Sequence, residues 1–288
     1  MNLQDKRVLV TGASGGIGRA LVVRLLDEGA QVLLSGRDHG ALSAVVEHHP
    51  DQERTAIFAA DITSASDRAR LCDFASRWRG GIDILINNAA VNDFTLLMSQ
   101  SAESLETAIA TNLTGPMDLC RRLSACLGRS EAAHIVNIGS VFGSIGFAGN
   151  TVYCATKFGL RGFSEALRRE LADTDIRVHY FAPRATRTSF NSNALNDLNE
   201  MLGNASDDPV EVARHIVQAL QADKLEQVIG WPEKFFARVN AVLPRVVDMV
   251  LLHKLATIRN FASRSTSATV GRPTSNFVHS TAKPREFS

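Results

Sequence analysis

The chain opens on a short apolar run, Arg7-Val8-Leu9-Val10, that passes directly into Thr11-Gly12-Ala13-Ser14-Gly15-Gly16-Ile17-Gly18. A helical apolar pattern then follows through Ala20, Leu21, Val23, Leu25 and Leu26 to Gly29. Strand, glycine turn and helix in direct succession is the setting a dinucleotide-binding loop needs. Glycines let the backbone approach a pyrophosphate, and the first helical turn offers free N–H groups at the positive end of its dipole. Gly12, Ser14, Gly15, Gly16, Ile17 and Gly18 are therefore the candidate cradle. The spacing is Thr-Gly-x-x-x-Gly-x-Gly rather than the commoner Gly-x-Gly-x-x-Gly, and a glycine-rich loop without a ligand is the plain alternative.

The second strand, Gln31-Val32-Leu33-Leu34-Ser35, ends without the carboxylate that would accept from an adenosine ribose and favour NAD. It continues Ser35-Gly36-Arg37-Asp38, and Arg37 can hold a 2′-phosphate by charge-assisted hydrogen bonds, with Ser14 as a helper. NADP is thus the expected cofactor and NAD the less favoured one; a solvated arginine in a polar turn is the alternative. A helix near Ala41–His48 and a strand over 55–59 lead to Asp61-Ile62, where the carboxylate can accept from an adenine amino group or cap the helix starting near Ser64. After that helix, Ile82-Asp83-Ile84-Leu85-Ile86 reads as a buried strand ending in Asn87-Asn88-Ala89-Ala90. Paired asparagines there can lock a turn at the ligand crevice. Strands and helices alternate through the first 140 residues, which predicts a doubly wound parallel α/β sheet of Rossmann type, covered by helices on both faces.

A chain of 288 residues suffices for one such domain, and a net charge of +1 gives no reason to expect nucleic acid as a partner. Cys72, Cys120, Cys126 and Cys154 are widely separated and lack zinc spacing, so they are read as reduced, buried thiols of a cytoplasmic protein with no metal. No signal-like segment precedes the first strand, and no uncharged run approaches membrane-spanning length.

The strand-like run over 134–138 is followed by Ser140, and thirteen residues later by Tyr153-Cys154-Ala155-Thr156-Lys157. Four residues apart on a helix, Tyr153 and Lys157 share a face, and an ammonium beside a phenol is expected to lower its pKa toward the working range of a general acid or base. Ser140, at a strand's carboxyl end, can hydrogen-bond a carbonyl or alcohol oxygen. Taken together, Thr11-Gly12-x-x-x-Gly16-x-Gly18, Asn87-Asn88-Ala89, Ser140 and Tyr153-x-x-x-Lys157 closely resemble the short-chain dehydrogenase/reductase family, over about residues 5 to 230. The resemblance implies that Tyr153 transfers the proton, that Ser140 orients the substrate oxygen, and that Lys157 lowers the tyrosine pKa while binding the nicotinamide ribose. It also matches Asn112 to the family's catalytic asparagine, holding a water linked to Lys157. On the residues alone, Asn112 is a polar residue inside a helix expected from about Ala102 to Leu127, where it can disturb the backbone ladder. Pro183 and Thr188 match the family's carboxamide-binding segment.

Two departures stand out. Ala90 replaces the family's usual glycine, and Arg184 follows Pro183 where glycine is usual, bringing a cation that can reach an anionic substrate group or point to solvent. Residues 189–207 should form a lid with Phe190, Leu195, Leu198, Met201 and Leu202 on its apolar side, followed by a helix from Pro209 capped by Asp207 or Asp208 and a last strand over 227–230. Residues 231–262 extend past the catalytic domain of 1–230 as amphipathic helices interrupted near Pro244, and are expected to pack, to cover the substrate mouth, or to lie on a membrane surface through 232–260. From Ser263 to Ser288 the composition reads as a disordered tail. The expected activity is NADP(H)-dependent reduction of a carbonyl, or oxidation of the matching alcohol, on a bulky hydrophobic small molecule, in a homodimer or homotetramer. An NAD-dependent alcohol dehydrogenase and a non-catalytic dinucleotide sensor or scaffold are the competing expectations.

Overall fold

The computed structural model describes residues 1–270, and the side chains of residues 1–264. Its strands are β1 (Arg7–Thr11), β2 (Gln31–Gly36), β3 (Thr55–Ala59), β4 (Ile84–Asn87), β5 (Ala133–Ile138), β6 (Ile176–Pro183) and β7 (Glu226–Ile229). They form one parallel sheet in the order β3-β2-β1-β4-β5-β6-β7. Alternation along each strand explains why both faces are covered. Val8, Val10, Val32, Leu34, Ile84 and Ile86 enter one core, while Leu9, Leu33 and Leu85 enter the other. All are fully buried, each side chain contributing about 1.5–3 kcal/mol of transfer free energy.

The helices are α1 (Gly16–Asp27), α2 (His39–Val46), α3 (Ala65–Arg77), α4 (Ala102–Ile109), α5 (Gly115–Leu127), α6 (Thr151–Glu170), α7 (Asn193–Met201) and α8 (Pro209–Gln221). Apolar stripes of α1, α2 and α8 cover the first face; those of α3 and α5, with Phe163 and Leu167 of α6, cover the second. Ser64 caps α3 through Asp67 N, and Asp208 caps α8 through Val210 N, with Pro209 at its first position. The helix expected over 102–127 is interrupted by a π-helical turn, Ala110–Thr114, that separates α4 from α5 and contains Asn112. The four cysteines are free and buried, and burial pushes the Cys72 and Cys120 thiols up to about 12.

Past β7 the chain forms α9 (Glu233–Val242), α10 (Pro244–His253) and α11 (Leu255–Val270). Pro244 starts α10 because it cannot supply the N–H that would continue α9, and Leu243 between them is non-helical. The helix therefore continues eight residues into the segment expected to be a tail from Ser263, and 271–288 lie outside the described residues. Ala237 and Val247 pack against Val141 and Ile145, and Ile258, Phe261 and Ala262 pack against Leu195 and Leu198 of α7.

Arg184, at the end of β6, neither points to solvent nor projects free into the cleft. Its guanidinium grips Asp207 through two bonds (Nε–Oδ2 3.0 Å, Nη2–Oδ1 2.7 Å), donates to Trp231 O at 2.7 Å, and meets Glu233 Oε2 at 3.3 Å. One side chain thus ties the carboxyl end of β6 to the end of the lid segment and to the start of α9. Arg184→Ala leaves Asp207 and Glu233 without their cation and is expected to lower stability by roughly 1.5–3 kcal/mol. Urea unfolding at neutral pH measures this; an unchanged midpoint would remove Arg184 from that role.

On neighbouring strands, His134 Nδ1 and His179 Nε2 lie 2.8 Å apart, and His179 Nδ1 donates to Lys224 O at 2.9 Å. Asp223 Oδ1 is 3.9 Å from His179, and Arg177 shares that carboxylate. Burial, followed by the charge of His179, pushes His134 down to about 4, and burial also lowers His179. A folded-state pKa below the unfolded value of about 6.5 contributes stability that is present above about pH 6.5 and lost as pH falls toward 4. The melting temperature is expected to drop across that window, and His134→Gln to flatten the drop; identical wild-type and variant profiles would refute the assignment.

Candidate active site

The carboxyl ends of the central strands open into a cleft of about 710 Å³, at the point where β2 and β4 leave β1 in opposite directions. At one end lies the glycine loop. Gly12 has φ +62°, and a Cβ there would stand 2.7 Å from Ala89 Cα; a Cβ on Gly18 would stand 2.1 Å from Gly12 O. Side chains at these two positions would close the turn. The loop is held from β4. Asn88 Nδ2 donates to Thr11 O (3.0 Å) and Gly12 O (3.1 Å), while the Thr11 hydroxyl accepts from Asn88 N and Ala89 N, both at 3.1 Å. Thr11, which opens the glycine motif, completes this joint, a role that the sequence pattern alone does not assign to it. The neighbouring Asn87 turns inward to Asn137, which in turn reaches Ser164. Ala90 is not among the residues with positive φ, so the departure from glycine strains nothing.

Gly15, Gly16, Ile17 and Ser14 line this end of the cleft, with Arg37 exposed at its rim. Arg37 makes no hydrogen bond or ion pair among the described residues, while its neighbour Asp38 is occupied in capping α2 through Ala41 N. Asp61 and Ile62 line the adjoining wall. Asp61 does not cap α3, contrary to one of the two sequence readings: its Oδ1 accepts from Thr63 N (2.9 Å) and Thr63 Oγ1 (2.8 Å), and Ser64 takes the cap.

At the other end stand Ser140, Tyr153 and Lys157. Ser140 ends the crossing from β5, and its Oγ accepts from Phe142 N at 3.1 Å, fixing the turn that follows. Tyr153 lies in the first turn of α6 between Phe142 (ring centroids 6.4 Å apart) and Phe190 (6.0 Å). Lys157 lies one turn on, with Nζ donating to Ile138 O at 2.9 Å and lying 5.7 Å from the tyrosine ring centroid. Contrary to the expectation from the Tyr-x-x-x-Lys spacing, the phenol is pushed up. Burial dominates, and only the nearby Ser140 hydroxyl opposes it. Burial also pulls Lys157 down, to about 8. In this environment the tyrosine is a protonated acid at neutral pH, and the lysine holds its proton less firmly than one in water.

Asn112 is brought to the same region but spends its amide elsewhere. Oδ1 accepts from Val91 N (2.8 Å), and Nδ2 donates to Val91 O (2.9 Å) and to Thr156 Oγ1 (3.1 Å). It thereby fastens the loop after β4 to α6, one residue from Lys157. Pro183 and Thr188 line the cleft between the two ends, with Thr188 against Gly16. From the lid, Phe190 and Leu195 line the cleft, Leu198 is buried against α11, and Met201 is 64% exposed, so it does not belong to the apolar side assigned to it. Among the described residues only His134, His179 and Asp223 could gather round a metal, and none of them lines this cleft.

The family model described as short chain dehydrogenase matches residues 6–199. The 3-oxoacyl-(acyl-carrier-protein) reductase FabG of Vibrio harveyi is 34% identical over 223 residues, 75% of this chain and 90% of that protein. A metagenomic short-chain oxidoreductase solved in complex with NADP is 28% identical with a TM-score of 0.68, covering 80% of this chain and 98% of that one. A short-chain dehydrogenase/reductase from Burkholderia phymatum, solved with NAD, shares the fold at 22% identity and a TM-score of 0.76, covering 84% of this chain and 94% of that one. With the glycine cradle, the Asn88 joint and the Ser140, Tyr153 and Lys157 cluster on one cleft, these matches make the chain a member of the short-chain dehydrogenase family, an oxidoreductase acting on carbonyl or alcohol groups.

Proposed function

We propose that the protein is an NADP(H)-dependent reductase of a carbonyl on a bulky hydrophobic substrate. The observation that carries the cofactor preference is Arg37, an unpaired cation at the rim beside Ser14, on a strand end that offers no carboxylate to a ribose. The residues fit a dinucleotide: a side-chain-free turn at Gly12 and Gly18, the amino end of α1, and a cleft continuous to Tyr153. Gly12, Gly16 and Ile17 would hold the pyrophosphate, Asp61 and Ile62 the adenine end, and Asn88, Lys157, Pro183 and Thr188 the nicotinamide half. When bound, the nicotinamide supplies the hydride.

The chain's own part is positional and protonic. The Ser140 hydroxyl orients the substrate oxygen, and Tyr153, kept protonated by burial, donates its proton to that oxygen as charge develops there. Lys157, softened to about 8, can restore it. Phe142, Phe190 and Leu195 give the substrate end an apolar lining, which favours a lipid-like or acyl carbonyl. The relation to a 3-oxoacyl reductase supports the same substrate class.

Nicotinamide fluorescence titration tests the cofactor preference. NADPH should bind more tightly than NADH, and Arg37→Ala should weaken NADPH roughly 10- to 100-fold while leaving NADH nearly unchanged. Tighter NADH binding would overturn the preference. Tyr153→Phe should cut turnover on an acyl ketone by about 10²–10⁴ at near-normal NADPH affinity; a variant that stays active would take the proton transfer away from Tyr153.

A further inference from the structure

Half of the exposed large apolar side chains among the described residues fall between Trp231 and Leu252, on α9, α10 and the residues flanking α9. On α10, Val247 is buried and Leu251 half-buried, and they mark the face turned to the protein. At about 100° per residue, Val246, Met249, Val250 and Leu252 lie on the opposite, outward arc. Their exposures run from 43% to 63%, so the helix is apolar on the side that a soluble helix makes polar. Phe235 of α9 and Trp231 just before it extend the patch, at 53% and 66% exposure. A contiguous apolar face of this kind marks a binding surface.

The charges around it identify the occupant. Arg238 and Arg245 are exposed, Lys234 and Lys254 half-exposed, and none of the four forms an ion pair among the described residues. The acids of α9 and α10 are Glu233, already held by Arg184, and Asp248. A second copy docked isologously would bring these cations against themselves. The last eighteen residues, with Arg272, Lys283 and Arg285 against Glu286, carry the same sign. An anionic bilayer offers both a negative surface and an apolar boundary to receive tryptophan, phenylalanine and leucine. No described helix is long and apolar enough to cross a membrane, so the contact is interfacial.

We infer that α9 and α10 form a platform that docks this protein on the surface of an anionic lipid bilayer. The inference is independent of the cofactor and substrate proposed above. Because Ala237 and Val247 of the platform pack on the turn after Ser140, docking holds the cleft beside the lipid.

The test is co-sedimentation of the full-length protein with vesicles of phosphatidylglycerol and phosphatidylcholine, set against phosphatidylcholine alone. Binding should require the anionic lipid and weaken with salt. Arg238→Glu with Arg245→Glu should reduce it at least roughly tenfold. Met249→Gln with Leu252→Gln should abolish it, with melting temperature and far-ultraviolet circular dichroism unchanged, since both side chains are exposed. Absence of binding to anionic vesicles, or binding indifferent to these variants, overturns the inference. So does a dimer, seen by light scattering without lipid, that the Met249→Gln and Leu252→Gln pair dissolves, because the face would then belong to a second copy.

Discussion

Everything at the cleft depends on the joint between the ends of β1 and β4. These strands are neighbours in space but lie more than seventy residues apart in the chain. Sheet hydrogen bonds align them, but they do not extend into the loops beyond. Asn88 and Thr11 carry the alignment past the sheet edge, one amide donating to two carbonyls and one hydroxyl accepting from two amides. The glycine turn, with its positive φ at Gly12, is thereby fixed in place rather than left to the loop's own preferences. A second joint of the same kind, Asn112 on Val91 and Thr156, secures the opposite wall to α6. Two asparagines thus fasten the walls of the cleft, while Asn87 turns inward to Asn137.

Local pattern in the sequence reveals what depends on local pattern. The bounds of β3, the cap of α8 at Asp207 or Asp208, and the break at Pro244 are readable because period, capping and proline chemistry act over a few residues, whereas the cap of α3 falls to Ser64 rather than Asp61. The site residues Ser140, Tyr153 and Lys157 are readable by spacing, but the environment of Tyr153 is not. Its pKa is governed by burial beside two aromatic neighbours, Phe142 and the lid's Phe190, which come from distant parts of the chain. Asn112 shows the same division: its disturbance of a helix is legible, whereas its partners are set by tertiary contact.

Arg184 is the clearest case of a residue whose role the sequence leaves open. A glycine there would let the backbone after β6 pass freely. The arginine instead adds a guanidinium whose donors find two carboxylates and a carbonyl from two separate segments. The departure from the family pattern and the presence of helices beyond β7 belong together, since Glu233 and Trp231 O, two of its partners, lie in the extension.

That extension has a consequence for the order in which the molecule is made. The lid helix α7 has its apolar side against Ile258, Phe261 and Ala262, which leave the ribosome well after the sheet and the glycine turn are complete. The sheet and the nucleotide cradle thus precede in the chain the residues of α11 that support the lid on the substrate side of the cleft.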